Sequence, residues 1–375
     1  MKVLHVTKKY PEALGGDAVV VANLETHQLK MGMEVFILTH RCPEIVNKQN
    51  VAKFGLNILS CNLDKVTVKR LISLISLPFF GYNYLMKLRP DIIHSHSPDL
   101  GFAISLPARL LGIPVINTCH GVSLTNNNIS VAKRFMETFF LKHSGFSRII
   151  TVDSTSVAAL QQRGIAGIVY IPNGVDPEFW AQKENEPREK RSGVTFLFVG
   201  RLEEQKGLKY LIEAAKDLKS EEVNFSVLLV GDGSQRHLLE HFVTSNGLGN
   251  HVRLLGKVGL EDLRRIYLNS DIFLLPSLWE GMPLTLLEAW ASGLPVIITN
   301  VGNIPDICVN RENAWIIEPG NETDLYDAML ALGRSRELRD RLGRNGLATV
   351  QENYSWKVVA EKTVLLYKKV CKVSV

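Results

Sequence analysis

The chain has 375 residues, of which 46% are hydrophobic and 22% charged, with a net charge of +5; this composition excludes a disordered chain, and the length suffices for two packed cores. Five cysteines, Cys42, Cys61, Cys119, Cys308 and Cys371, are odd in number and contain no CxxC pair, which argues against a disulfide framework or a zinc site and fits a reducing cytoplasm. Residues 1–175 carry 18 Lys and Arg against 10 Asp and Glu, and residues 176–375 carry 25 against 28. The basic field therefore belongs to the first half, where it suits anionic lipid headgroups, an acidic substrate or simply a solvated face, and no dense basic run with interleaved aromatics points to nucleic acid.

Met1 to Thr7 is apolar for only a few residues before Lys8-Lys9-Tyr10-Pro11, the signature of a first strand rather than a signal peptide. A helical pattern over Val19 to Met31 and a strand over Glu34 to Thr39 follow. The longest apolar run, Leu71 to Phe80, is broken by serines and Pro78 and falls short of the roughly 18 residues needed to span a bilayer. Further strands are predicted at Ile92 to His94, Val115 to Thr118, Ile149 to Val152 and Ile168 to Ile171. Pro172-Asn-Gly-Val-Asp-Pro177 and the polar stretch Gln182 to Ser192 mark a domain boundary. The strand pattern then resumes at Thr195 to Val199, Ser226 to Val230, Val252 to Leu255, Ile272 to Leu275, Val296 to Thr299 and Ala314 to Ile317, and a helix is predicted over Trp356 to Val370. Alternating apolar strands and helices imply parallel sheets covered on both faces. The prediction is an α/β protein with two Rossmann-like domains, residues 1–172 and 173–355, followed by a C-terminal segment, 356–375.

The chemistry concentrates at strand ends. After the strand ending near Pro276, Glu280 falls on a loop and Glu288 inside a helix, with Pro283 suited to the first helical position and Leu284 to Ala291 continuing until Gly293. The amides of Gly281 to Leu284, with Met282 and Pro283 between them, would face a crevice at the sheet's carboxyl edge. A helix N-terminus there attracts phosphate, and a carboxylate beside it accepts bonds from sugar or ribose hydroxyls. Val194 to Gly200 delivers Arg201 and then Lys206-Gly207 to the same edge, two cations able to neutralise a departing diphosphate; the bland alternative is that Arg201 pairs with Glu203 or Glu204 on the surface. Gly15-Gly16 follows the first strand and lets backbone approach a phosphate, but it is not GxGxxG, which disfavours a nicotinamide cofactor. His120-Gly121 ends the strand Val115 to Thr118 and can bond a sugar or serve as a structural histidine. Gly231-Asp232-Gly233 either supplies backbone contacts near a nucleotide or turns the chain. His94 and His96 could be joined with His120 as metal ligands, but no carboxylate set lies near them in the sequence and no Asp-x-Asp occurs, so no metal is expected.

Gly200-Arg-Leu-Glu-Glu-Gln-Lys-Gly207, Pro172-Asn-Gly-Val-Asp176, His120-Gly121, Gly15-Gly16 and the two glutamates with seven residues between them resemble the retaining family-four glycosyltransferases of the GT-B fold, in order and over nearly the whole chain. The resemblance implies that Arg201 and Lys206 bind the donor diphosphate, Glu288 the ribose, and Glu280 with the amides of Gly281 to Leu284 the donor sugar. His120 would contact that sugar from the opposing domain, Gly16 would approach the phosphates when the cleft closes about a hinge near Asn173 and Gly174, and the C-terminal helix would cross back onto the first domain. Asp153 stands where many members carry serine, and Met282 where phenylalanine is frequent.

The expectation is a cytoplasmic enzyme that moves a sugar, with retention and without metal, from a UDP- or GDP-sugar to a hydroxyl of a glycan or lipid-linked acceptor. The first domain would select acceptor, the second would bind donor, and the departing phosphate would take the acceptor's proton. A nucleotide-sugar epimerase and a non-catalytic nucleotide-sugar sensor stand as alternatives. Leu71 to Phe80 near Lys65, Lys69, Arg70, Lys87 and Arg89, together with Phe135, Phe139, Phe140 and Phe146 among Lys133, Arg134 and Lys142, suggests peripheral contact with the inner membrane face or a buried helix with a basic rim.

Overall fold

A computed structural model describes residues 1–10, 16–41, 50–53, 66–122, 124, 130–183, 186, 193–221 and 223–372. The chain divides into two compact units, Met1–Asn173 with Trp356–Val375, and Gly174–Ser355. No helix among the described residues is long and apolar enough to cross a membrane.

The first unit runs β1 (Lys2–Lys9), α1 (Gly16–Lys30), β2 (Glu34–Arg41), β3 (Val51–Lys53), α2 (Val66–Leu88), β4 (Ile92–Ser95), α3 (Pro98–Leu110), β5 (Val115–Cys119), α4 (Val131–His143), β6 (Arg148–Thr151), α5 (Ser154–Gln162) and β7 (Ile168–Tyr170). Its seven strands lie in the order β3-β2-β1-β4-β5-β6-β7 and are parallel throughout. Because β4 and β5 are covered on both faces, every residue of Ile92–Ser95 and Val115–Cys119 is buried, which explains why these strands read as continuous apolar runs rather than as alternation. Leu4, Val6, Leu38, Leu77, Leu85, Ile93 and Ile104 form the core beneath α2 and α3. Right-handed crossovers place α1 on one face and α2, α3 and α4 on the other; accordingly α2 packs on α3 and α3 on α4. The C-terminal helix, Trp356–Val370, packs on α1 with Val359, Ala360, Thr363, Val364, Leu366 and Tyr367 buried.

The second unit continues α6 (Pro177–Trp180), β8 (Val194–Val199), a 3-10 turn (Glu204–Lys206), α7 (Leu208–Leu218), β9 (Phe225–Val230), α8 (Arg236–Ser245), β10 (Val252–Gly256), α9 (Leu260–Leu268), β11 (Ile272–Leu275), α10 (Leu284–Ala291), β12 (Val296–Thr299), α11 (Ile304–Ile307), β13 (Trp315–Ile317), α12 (Glu322–Arg334) and α13 (Arg336–Asn353), before the C-terminal helix, α14. Six parallel strands take the order β10-β9-β8-β11-β12-β13. In each sheet the chain first winds one way and then returns to the other side of its first strand, so a switch point lies between β1 and β4 and between β8 and β11. Ligands of open parallel sheets bind at such points, outside the strands' carboxyl ends.

Small residues seat the helix that carries Glu288. A Cβ on Gly346 of α13 would lie 2.2 Å from the Trp290 ring, and one on Gly343 would lie 2.2 Å from the Gly293 carbonyl oxygen. Both glycines therefore let α13 lie close against α10 and its C-terminal turn. Trp290 is fully buried, and its indole N–H donates to the Asn313 carbonyl at 3.0 Å, satisfying a donor that would otherwise be costly to bury.

Candidate active site

At the end of β8 the chain turns through Arg201 and the 3-10 turn to Lys206, and Gly207 starts α7 in the left-handed region at φ +64. A Cβ at Gly207 would stand 2.1 Å from the Pro276 carbonyl oxygen, so glycine is required there both for its φ and for contact with the loop after β11. The two loops are joined by the Leu278 amide donating to the Gln205 carbonyl at 2.8 Å and by Gln205 Nε2 donating to the Trp279 carbonyl at 2.9 Å. From β12, the Thr299 hydroxyl donates to the Ser277 carbonyl at 2.5 Å.

These contacts bring Lys206 and Glu280 together, 74 positions apart in sequence. The Lys206 ammonium pairs with Oε1 of Glu280, and the Ser277 hydroxyl donates to the same oxygen at 2.6 Å. Both charged side chains are nearly buried, at 12% and 7% exposure, so each needs the other: a buried charge deprived of its partner costs several kcal/mol, roughly 3–5. The backbone of Glu280 is fixed from behind by Gly302, at φ +57, where a Cβ would lie 1.9 Å from the Glu280 carbonyl oxygen. Holding one carboxylate oxygen leaves Oε2 as the oxygen available for a ligand hydroxyl.

Glu288 lies on α10, half-buried, with the Tyr267 hydroxyl donating to its Oε2 at 3.0 Å. Burial pushes its carboxyl up to about 7, against a smaller opposite pull from Tyr267; burial also holds the Tyr267 phenol well above its usual range. A carboxyl poised near neutrality changes its hydrogen-bonding role in the range where enzymes work. Gly281, Met282 and Pro283 link the two acids. Pro283 has extended backbone (φ −73, ψ 120) and caps α10, whose first helical residue is Leu284; the sequence expectation of Pro283 as first helical residue is thus corrected by one position. The first amides of α10 have no intrahelical acceptor and give the loop a positive end.

Arg201 is exposed, and among the described residues it makes no ion pair within 4.0 Å. Glu203, one of its two sequence-suggested partners, instead accepts from the Ser234 hydroxyl at 2.6 Å and the Ser234 amide at 3.2 Å. Gly231-Asp232-Gly233 passes very close behind: a Cβ at Gly231 would be 1.8 Å from the Gly200 carbonyl oxygen, and one at Gly233 2.4 Å from that of Leu202. This motif supports the loop bearing Arg201.

In the first unit, Gly16 opens α1 at the β1 end of the switch point, while Gly15 lies outside the described residues. His120 follows β5, and its Nε2 lies 3.2 Å from Nδ1 of His96. Beside them His5, His94 and His96 are all buried, with ring nitrogens within 4.8 Å of one another, so His5 rather than His120 completes the trio that could offer nitrogens to one ion. Each of these nitrogens already has a partner. His5 uses Nδ1 for His96 and Nε2 for Gln28, both at 2.8 Å; His94 uses Nδ1 for Tyr367 and Nε2 for Thr118, both at 2.6 Å; His96 uses its second nitrogen for His120. An ion would have to break that set, and among the described residues no carboxylate joins the trio, so these residues fit a hydrogen-bond network better than a metal centre. Burial lowers His5 to about 4 and holds His94 and His96 well below the usual histidine range, so all three are neutral.

Sequence reasoning did not find Ser277, Tyr267, Gly302, Gln28 or Tyr367. His5 alone carried a signal, as a polar residue within the otherwise apolar Val3–Val6 of a buried strand.

Residues 14–179 match the family model described as Glycosyltransferase Family 4, and residues 178–349 the model described as Glycosyl transferases group 1. The chain is 31% identical over 373 residues to a glycosyltransferase of Methanocaldococcus jannaschii described as uncharacterized, covering 99% of this chain and 97% of the other. It is 34% identical over 280 residues to the UDP-Gal:alpha-D-GlcNAc-diphosphoundecaprenol alpha-1,3-galactosyltransferase of Escherichia coli, covering 70% of each chain. Among solved structures, sucrose-phosphate synthase from Thermosynechococcus elongatus shares the fold with a TM-score of 0.81 over 100% of both chains, at 20% identity.

Proposed function

The chain belongs to the family-four glycosyltransferases of the GT-B fold, and on that premise we propose that it transfers a sugar from a UDP-sugar to a hydroxyl of a lipid-linked glycan, retaining the anomeric configuration and using no metal. The observation that carries this reading is the Lys206–Glu280–Ser277 cluster at the β8/β11 switch point, with Glu288 on the next helix. The choice of uridine and of a lipid-linked acceptor rests on the E. coli relative, whose name gives both.

As the bond from the anomeric carbon to the donor phosphate lengthens, negative charge grows on the leaving diphosphate. Arg201 and Lys206 stabilise that charge, and each charge-assisted bond contributes roughly 1.5–3 kcal/mol. Two cations fill the place a divalent ion would take. Glu288 accepts from the ribose hydroxyls, and Oε2 of Glu280 with the amides leading into α10 orients the sugar. The acceptor oxygen attacks from the face that the diphosphate leaves and gives its proton to a departing phosphate oxygen, so the new bond keeps the old configuration. Glu280 has an orienting role, since its Oε1 is already held by Lys206 and Ser277.

A peripheral membrane face for the acceptor is supported by exposed apolar side chains on three neighbouring helices: Phe79 on α2, Leu106 and Leu110 on α3, and Val131, Phe135 and Met136 on α4. Lys87, Lys133 and Lys142 are exposed on the same helices. Apolar bodies with a basic rim suit an anionic interface.

The deciding experiment incubates the purified chain with UDP-galactose, with and without an undecaprenyl-diphosphate-linked acceptor and with and without EDTA. Acceptor-dependent UDP release that EDTA leaves intact, with an α-linked product by proton coupling constants, is expected. An epimerised nucleotide sugar formed without acceptor would favour the epimerase reading instead.

A further inference from the structure

The helix that supplies Tyr267 also grips the segment packed on that ring. Arg264 and Tyr267 stand three positions apart on α9 and so share one of its faces. Arg264 is buried. Its Nε donates to the Phe179 carbonyl, its Nη2 to the Ala181 carbonyl at 2.8 Å, and its Nη1 and Nη2 to the two carboxylate oxygens of Glu186 at 3.0 and 2.6 Å. These bonds hold α6, whose four residues, Pro177–Trp180, are too few to keep a helical turn by themselves. The helix is fixed at both ends: the Asp176 carboxylate accepts from the amides of Glu178 and Phe179 at 3.0 and 3.2 Å, and Arg264 takes carbonyls at the far end. A lysine offers one point charge where the planar fork of arginine holds two carbonyls and a carboxylate in set directions.

What the clamp seats is Trp180. Its buried ring meets Tyr267 edge to face, with centroids 5.1 Å apart at 77°, while Tyr267 stacks on Phe273 of β11 at 5.7 Å and 28°. Phe273 is held by the sheet; Trp180 depends on α6, and therefore on Arg264. The Tyr267 ring, fully buried, has two acceptors in reach: Oε2 of Glu288 at 3.0 Å and the Thr285 carbonyl at 3.4 Å. A phenol has one hydrogen to donate, so the placement of the ring decides which acceptor receives it. A small displacement away from Glu288 hands the hydrogen to Thr285 and leaves the Glu288 carboxyl without that donor.

We propose that Arg264 is a positioning residue for the nucleotide site: by fixing α6 it seats Trp180 against Tyr267 and keeps the phenol donating to Glu288 rather than to Thr285, so that the carboxylate is set for the ribose hydroxyls of a nucleoside diphosphate. The ribose clause rests on the role given to Glu288 above; the clamp itself stands on the second unit without ligand. Arg264 acts at two removes, through Trp180 and Tyr267.

The test is a pH titration of the Glu288 carboxyl by carbon-13 magnetic resonance on the full chain with labelled glutamate and no ligand, the signal being assigned by Glu288→Gln. Tyr267 is the ionisable neighbour that bears on this carboxyl, and its bond pulls the carboxyl down from where burial would set it. The wild-type midpoint is expected at about 7. Arg264→Met, and to a smaller degree Arg264→Lys, lose the fork and should move it up toward about 8, as loss of a bond to a charged group does. In a Tyr267→Phe background neither substitution should move it further. At pH 7 the ionised fraction then falls from about a half to about a tenth, so UDP affinity should drop about fivefold in Arg264→Met and recover at pH 9, whereas a defect of packing alone lowers affinity at both pH values. A wild-type midpoint at the ordinary 4.5, an unchanged or lowered midpoint in the folded variants, or an equal shift in the Tyr267→Phe background overturns the proposal. A raised midpoint with UDP affinity unchanged at both pH values removes the ribose clause and leaves the clamp standing.

Discussion

Nucleotide affinity should carry a pH step set by Glu288. Its carboxyl is pushed up to about 7 by burial, and the bonds proposed from ribose hydroxyls need the ionised form as acceptor. Between pH 6 and pH 8 a group titrating near 7 goes from about one tenth to about nine tenths ionised, so the association constant for UDP should rise about tenfold, or about 1.4 kcal/mol. The nucleotide's own terminal phosphate titrates near pH 6, at the lower end of this window, and the Glu288→Gln variant, which cannot ionise, provides the correction. The difference between the two isothermal titration curves is the quantity of interest: wild type should gain on the variant as pH passes 7. Linkage demands a matching stability signature of opposite sense. A carboxyl raised in the folded state has no penalty below its ordinary value of 4.5, and stability is lost as pH rises through about 7, by at most about 3 kcal/mol. Without ligand, Glu288→Gln should therefore be more resistant to denaturant than wild type at pH 8 and not at pH 4.5. Parallel affinity curves for the two proteins across this range would refute the reasoning.

Tyr267→Phe removes the bond that pulls Glu288 downward, so the midpoint of the same affinity curve should move to higher pH. Gly302→Ala forces a Cβ against the Glu280 carbonyl at φ +57; thermal denaturation should show a loss of about 2 kcal/mol or more, accompanied by loss of transfer. Lys206→Met should weaken UDP binding by roughly 10- to 100-fold and destabilise the fold by leaving Glu280 buried without its cation. Adding Glu280→Gln should restore stability but not binding, and recovery of binding in the double variant would contradict the role of Lys206. Replacing Phe135 and Met136 with serine should abolish sedimentation with phosphatidylglycerol vesicles while leaving UDP affinity unchanged; sedimentation equal to that of wild type would remove the membrane face.

The two parallel sheets could be read in the primary sequence because strands covered on both faces must be apolar throughout: Ile272–Leu275, Val296–Thr299 and the helix Trp356–Val370 have the predicted bounds. The short edge strand Val51–Lys53 was not predicted, because three residues carry no periodicity, and the helix Val66–Leu88 was anticipated only as one alternative for Leu71 to Phe80, because its serines and Pro78 interrupt the pattern. At the site, charge and strand-end position were enough to single out Arg201, Lys206, Glu280 and Glu288. The pairing of Lys206 with Glu280 depends on Gly207 touching Pro276 and on Gly302 touching Glu280, close approaches between segments remote in sequence. The raised carboxyl of Glu288 depends on burial, against the opposing bond from Tyr267, 21 positions earlier in the chain. A linear chain fixes which groups are present and which end of a strand they follow. Only packing brings strands β1 and β4 side by side, sets His5 opposite His94, and delivers Gln28 and Tyr367 to close the chain of hydrogen bonds, because desolvation and bond direction exist only once neighbours have displaced water.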